Sequence, residues 1–324
     1  MPGDGWRVVT DTILSPATRV ERLALPADGS VDLVLDTDAY NEVDDQFAIA
    51  HAVRSEHAVE ALYAAPFDNQ RSDGPADGMA KSYDEVGRVL DRLGDTRPVY
   101  RGAKRYLAGA DDHVESPAVA DLRERAHADR DGPLYVVAIG AATNVASAIA
   151  ADPSVASEVV VVWLGGTPHG WHTAAEFNLS QDLAAARVLF DSGVPLVHVP
   201  TINVAEHVRT TVPELRTLFG LGGAERASDG GDGDSESEGI ERFLVERVAD
   251  YGGAGEVGWS KVIWDLAATA VLATPGAVET VRVPSPILAD GETWSHDPAR
   301  HDVRVVRRVD RDAVFADLAA RLEG

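Results

Sequence analysis

The chain has 324 residues, with 53 acidic against 29 basic residues, a net charge of −24 and no cysteine. The length allows one large domain or two ordinary ones, and an apolar share of 45% with 25% charged residues excludes a disordered chain. Without cysteine there are no disulfides, thiolate zinc sites or cysteine nucleophiles; the acidic balance speaks against nucleic acid as a partner, and the longest apolar run, 159–164, is far shorter than a membrane span.

Residues 1–30, with Pro2, Pro16 and Pro26, are expected to form an irregular lead-in to a single domain over 31–324. Residues 31–38 (VDLVLDTD) are a short apolar run ending in carboxylates, which predicts a buried strand. Phe47, Ile49, Ala50 and Val53 then have helical spacing, predicting a helix over 43–53. A strand over 59–65 and a helix over 77–93 follow, then a strand over 134–139, a helix over 144–150 and a strand over 159–164. A helix over 183–190 and a strand over 194–199 continue the alternation. Residues 220–239 are rich in Gly, Ser, Asp and Glu and predict a flexible acidic surface loop, either inert or a lid. Helices over 240–251 and 261–272, an edge strand over 303–309 and a final helix over 310–322 complete the chain. Such alternation implies an α/β fold: a mostly parallel, doubly wound sheet whose ligands sit beyond the carboxyl ends of the strands.

Two further features concern setting. Lys81, Lys104 and Lys261 are the three lysines, and every other basic residue is an arginine. An acid-rich, lysine-poor surface suits a protein of a salt-accumulating organism, because about 1 M salt shortens the Debye length to roughly 3 Å and screens self-repulsion. An acidic protein from a GC-rich genome is the plainer alternative. The N-terminus lacks a basic start followed by an apolar stretch, so a cytoplasmic location is expected.

The most informative segment is Asp36-Thr37-Asp38-Ala39-Tyr40-Asn41-Glu42-Val43-Asp44-Asp45, where a buried strand meets a helix. A helix dipole favours acids at its N-terminus, which accounts for Asp44 and Asp45 singly. It does not account for Asp36 and Asp38 at a strand end, where packed acids repel one another unless a cation holds them. All-oxygen ligation suits calcium or magnesium; zinc would bring in His or Cys.

A strand ending in D-x-D followed by D-D at a helix start resembles the inosine-uridine type nucleoside hydrolases. Three more segments agree in order. Residues 138–150 (AIGAATNVASAIA) are similar to the family's small-residue turn before Thr-Asn. Residues 161–166 (VVWLGG) followed by Glu176-Phe177-Asn178 resemble its Gly-Gly strand end and E-F-N motif. Asp265, in Ile263-Trp264-Asp265, stands where the family places a late metal-binding aspartate.

The resemblance implies hydrolysis of a ribonucleoside N-glycosidic bond to ribose and free base, with one Ca2+ ion as cofactor. Asp38, Asp45, Asp265 and the Thr143 carbonyl would hold the metal, and Asp38 would also be the catalytic base. Asp44 would bind a ribose hydroxyl, Asp36 would support the cluster, and Asn178 and Glu176 would hold further hydroxyls. Leu164 would pack near the sugar, Trp264 beside the base, and Asn69 is the candidate asparagine after the second strand. The implied partner is a small nucleoside, and the implied assembly is a homo-oligomer, dimer or tetramer.

Three departures stand out. The family commonly has three residues between D-x-D and D-D, and here there are five, 39–43, so that Asn41 or Glu42 can intrude. Trp264 replaces a histidine that many members use as leaving-group acid; an indole can stack but cannot protonate a base at neutral pH. Gly170 stands in place of an asparagine before E-F-N, and His113, His169, His172 and His207 are possible substitute acids. Two rival readings follow: a non-catalytic nucleoside- or ribose-binding relative, and an aspartate-nucleophile phosphohydrolase attacking through Asp36 with Asp38 as acid.

Overall fold

The computed structural model of the protein describes residues 14–26, 29–221 and 239–323. The acidic loop anticipated at 220–239 lies, apart from its ends, outside the described residues. The chain opens with α1 (Pro16–Arg22), β1 (Asp32–Thr37), α2 (Asp45–Val53), β2 (Ala58–Ala64), α3 (Pro75–Leu93), β3 (Val99–Arg101) and α4 (Pro117–Ala126). It continues through β4 (Leu134–Ala138), α5 (Thr143–Ala151), α6 (Val155–Glu158), β5 (Val159–Leu164), α7 (Phe177–Gln181), α8 (Leu183–Asp191) and β6 (Leu196–Val199). Then come β7 (Arg209–Thr210), α9 (Val212–Leu218), α10 (Ile240–Ala249), β8 (Lys261–Val262), α11 (Leu266–Ala273), β9 (Val278–Pro284), β10 (Ile287–Leu288), β11 (Trp294–Ser295), β12 (Asp302–Val309) and α12 (Arg311–Leu322).

Among the described residues one eight-stranded sheet runs β3-β2-β1-β4-β5-β6-β12-β9, with every neighbouring pair parallel except β12 and β9. Its central strands are buried on both faces and so read as continuous apolar runs. Alternate residues divide between two cores. Leu33, Leu35, Val160, Val162 and Leu164 meet α2, α3, α10, α11 and α12 on one face. Val34, Val159, Val161 and Trp163 meet α4, α5 and α8 on the other. Trp163 is fully buried and its Nε1–H donates to the Gly140 carbonyl (3.1 Å), tying the end of β5 to the turn after β4. A side chain of that size contributes about 1.5–3 kcal/mol by burial, so the site-bearing strand ends rest on a stiff base.

The structure corrects three expectations. Within the lead-in, Ser15 caps α1 and Pro16 occupies its first turn, while Leu23 packs fully buried; the proline starts a helix rather than breaking one. The helix expected over 261–272 begins only at Leu266, because Lys261–Val262 pairs antiparallel with Arg209–Thr210. The strand expected at the edge, β12, lies between β6 and β9, and the edge is β9, which mixes charged and apolar residues. Among the described residues no helix is long and apolar enough to cross a membrane.

Candidate active site

At the carboxyl edge of the sheet lies a cavity of about 550 Å³. Asp38, Asn41, Glu42, Asp44, Asp45, Asn69, Leu164, Glu176, Asn178, Trp264 and Asp265 all line it. Two turns and two helix starts build its floor. After β1 the chain turns through an Asn41 N–H bond to the Asp38 carbonyl (2.7 Å). It enters α2 with Asp44 at the N-cap and Asp45 in the first turn. Asp265 is the N-cap residue of α11, and like Asp44 it caps no backbone N–H with its side chain. Neither carboxylate is used up in capping its helix; that of Asp44 is hydrogen-bonded by the Trp264 backbone, and its Oδ1 is left over.

The ligand oxygens of Asp44, Asp45 and Asp265 lie within 4.8 Å of one another, and all three side chains are buried. Asp38 adjoins this trio: its charge acts on Asp265, and those of Asp45 and Asp44 act on it. Gly140 makes room for it, because a Cβ there would sit 2.9 Å from Asp38 Oδ1. Thr37 Oγ1–H donates to Asp45 (2.5 Å). Asp36 is buried behind the cluster, accepts from Asn144 Nδ2 (2.7 Å) and does not line the cavity. It therefore braces β1 against α5 and is out of reach of a bound phosphoester, which removes the nucleophile required by the phosphohydrolase reading.

Burial pushes each of these acids up. Asp38 and Asp265 stand well above the usual carboxylate range through burial and then their charged neighbours. Asp45 is pushed up to about 8 by burial and then by Asp44. Asp44 reaches only about 6, because Lys261 opposes its burial. Among the described residues the buried oxygens Asp38 Oδ2 and Asp44 Oδ1 have no hydrogen-bond partner. Unpartnered oxygens on crowded, desolvated carboxylates fit a hard divalent cation, which inverts this electrostatic logic by favouring the charged forms.

The other sequence-derived residues divide. Asn178 Nδ2 donates to the Ile139 and Leu164 carbonyls (3.1 Å each), so both amide hydrogens are used and its oxygen remains as acceptor. Glu176 caps α7, accepting from Leu179 N (3.3 Å) and Gly166 N (2.7 Å), and burial pushes it up to about 7. Asn69 Nδ2–H donates to Asn41 (2.6 Å), joining two cavity-lining loops. Thr143 opens α5 and does not line the cavity; its hydroxyl donates to Asp182 (2.8 Å). None of His113, His169, His172 and His207 lines the cavity. His169 stacks on His198 with a 3.0 Å hydrogen bond in the second core, and burial first, then His198, lowers its pKa to about 2.

One anticipated intrusion is realised, and several other residues escaped the sequence reading. Glu42 does enter the cavity, where it accepts from Tyr251 OH (3.0 Å) and from the buried Lys261 ammonium (2.5 Å). Asp44 and Glu42 hold that ammonium protonated against its burial. Arg71, Ile202 and Tyr251 also line the wall. The five-residue turn is the one local signal that pointed toward Glu42.

A sheet with this topology places at its carboxyl edge, where such sheets bind ligands, an acidic cluster that can hold a metal ion. A family model described as inosine-uridine preferring nucleoside hydrolase matches residues 33–316. The pyrimidine-specific ribonucleoside hydrolase RihA of Enterobacter sp. (strain 638) is 27% identical over 231 residues, spanning 59% of this chain and 71% of that protein. Among solved structures, an inosine-guanosine nucleoside hydrolase aligns with a TM-score of 0.69 at 18% identity, over 91% of this chain and 99% of its own. A purine-preferring ribonucleoside hydrolase from Gardnerella vaginalis aligns at 0.68 and 19% identity, over 90% of this chain and 99% of its own. At these identities the structural likeness concerns the fold. The chain belongs to the inosine-uridine preferring nucleoside hydrolase family, a family of N-glycosyl hydrolases.

Proposed function

We propose that this protein hydrolyses the N-glycosidic bond of a ribonucleoside with one bound calcium ion, releasing ribose and free base for salvage. The observation that carries the reading is the meeting of Asp44, Asp45 and Asp265 within 4.8 Å, beside Asp38, on a cavity wall that also carries Asn178 and Glu176. In this reading Asp38, Asp45 and Asp265 hold the cation and the nearness of Asp44 supplies a fourth carboxylate, while Thr143, the further ligand expected through its carbonyl, does not line the cavity. The ion's contribution is to acidify a bound water and anchor vicinal hydroxyls.

The chain's own groups do the rest. Asp38 takes the proton from the attacking water at its unpartnered Oδ2. The surrounding carboxylates stabilise positive charge as it builds on the ribosyl ring. The free oxygen of Asn178 accepts from a sugar hydroxyl, joined by Asp44 and Glu176. Leu164 packs on the sugar, Trp264 offers a flat face to the base, and Asn69 steadies the turn through Asn41. Assembly as a dimer or tetramer and a cytoplasmic setting belong to the same reading.

The test is a panel of uridine, cytidine, inosine and guanosine with calcium, assayed for free ribose in high salt. The named relatives differ in their bases, so the panel covers both classes. Ribose release that requires calcium is expected; tight nucleoside binding without ribose release would instead establish the non-catalytic relative.

The surface charge leads to a separate expectation. With a charge of −24 and three lysines, stability is expected to rise with potassium chloride into the molar range as repulsion is screened. A melting temperature that is flat or falling from low to molar salt would reject the salt-adapted reading.

A further inference from the structure

The cavity is lined by six carboxylates, those of Asp38, Glu42, Asp44, Asp45, Glu176 and Asp265, and among the described residues Arg71 is the single basic side chain that lines it. Its backbone is pinned. Its N–H donates to Asn69 Oδ1 (2.8 Å), its carbonyl accepts from Lys81 Nζ (2.8 Å), and Asn69 is bonded in turn to Asn41. The guanidinium makes no hydrogen bond or ion pair with the described residues, although most arginines of this acidic chain are paired. It stands close enough to Tyr251 for its charge to act on that phenol, which is hydrogen-bonded to Glu42. Arg71 therefore belongs to the wall formed with Glu42 and Tyr251.

The chemistry leaves a need at that wall. When the C1′–N bond breaks, its electron pair goes to the base nitrogen, while the water oxygen bonds C1′ and gives its proton to Asp38. Negative charge then develops on the departing ring. Trp264 has no proton to offer at neutral pH, and no histidine lines the cavity. A guanidinium is always charged, and its planar fork of donors suits a ring nitrogen and an exocyclic oxygen. Resting on the proposed N-ribosyl hydrolysis, we propose that Arg71 is a catalytic residue whose guanidinium binds the base and stabilises the charge it carries away, in place of a proton donor. The base is protonated by solvent after it leaves.

The test compares wild type, Arg71→Met and Arg71→Lys on uridine, inosine and p-nitrophenyl β-ribofuranoside, whose departing phenolate is stabilised by its own nitro group. The expected result for Arg71→Met is a kcat loss of about 10²-fold on the two nucleosides, the size found for one preorganised donor at a developing charge, with the nitrophenyl riboside changed only a few-fold. Arg71→Lys should fall between wild type and Arg71→Met. The half-exposed side chain and the backbone pinning leave the fold intact, which a melting curve checks. An equal loss on all three substrates, or no loss, overturns the role of Arg71 alone. No ribose release by the wild type from any of the three overturns the hydrolytic reading, and this inference with it.

Discussion

Asp38→Asn is expected to lower ribose release at least ~10²-fold, the range for loss of a general base. The replacement keeps the side-chain volume, which matters because Gly140 already leaves Asp38 Oδ1 a close fit. It removes one negative charge from the cluster and the proton acceptor at the unpartnered Oδ2. In the metal-free protein the charged form of Asp38 is opposed by burial and by Asp45 and Asp44. The variant should therefore melt at or above the wild-type temperature without metal, so a loss of turnover cannot be attributed to unfolding. Near-wild-type ribose release would mean that another group takes the proton.

Removing calcium is expected to abolish ribose release, and the accompanying stability change should depend on pH with a definite sign. Asp45 is pushed up to about 8 and Asp44 to about 6 in the native state, against about 3.9 in an unfolded chain. Between those values the metal-free native state holds more protons than the unfolded state. Its stability from these groups is thus present at low pH and is lost as pH rises through the native values. A cation competes with those protons. The melting-temperature rise produced by calcium should accordingly be larger at pH 8 than at pH 6. For scale, ligand at a hundred times its Kd stabilises by about 2.7 kcal/mol. Melting curves with calcium and with chelator at the two pH values check this; an equal or smaller shift at pH 8 would rule out the acidic cluster as the calcium site.

The central sheet was legible because its strands are short apolar runs separated by helical periodicity, and both signals are local. The same is true of the acid-rich turn: Asp36, Asp38, Asp44 and Asp45 are close in sequence, and no dipole argument covers a carboxylate at a buried strand end. The start of α11 was misjudged because Lys261–Val262 is drawn into pairing with Arg209–Thr210, some fifty residues away. The helix at Pro16 was not legible, because a proline at a helix start and one in an irregular lead-in look alike until the cap at Ser15 is seen.

Some features had no local trace at all. Lys261 and Glu42 are 219 residues apart, yet the ammonium is buried against that carboxylate and moderates Asp44. Arg71 lies two residues after Asn69 in an ordinary loop, and only the approach of the wall carrying Glu42 and Tyr251 makes it the cation of an acidic cavity. The sequence by itself determined the α/β alternation, the family's ordered segments and the carboxylates available to a cation, because these follow from periodicity and residue chemistry over short spans. Only the tertiary structure decided which of those carboxylates meet, that Asp36 is turned away from the cavity, and which charges stand opposite them. Such pairings depend on how distant loops converge over the sheet edge, and neither spacing nor composition along the chain encodes that convergence.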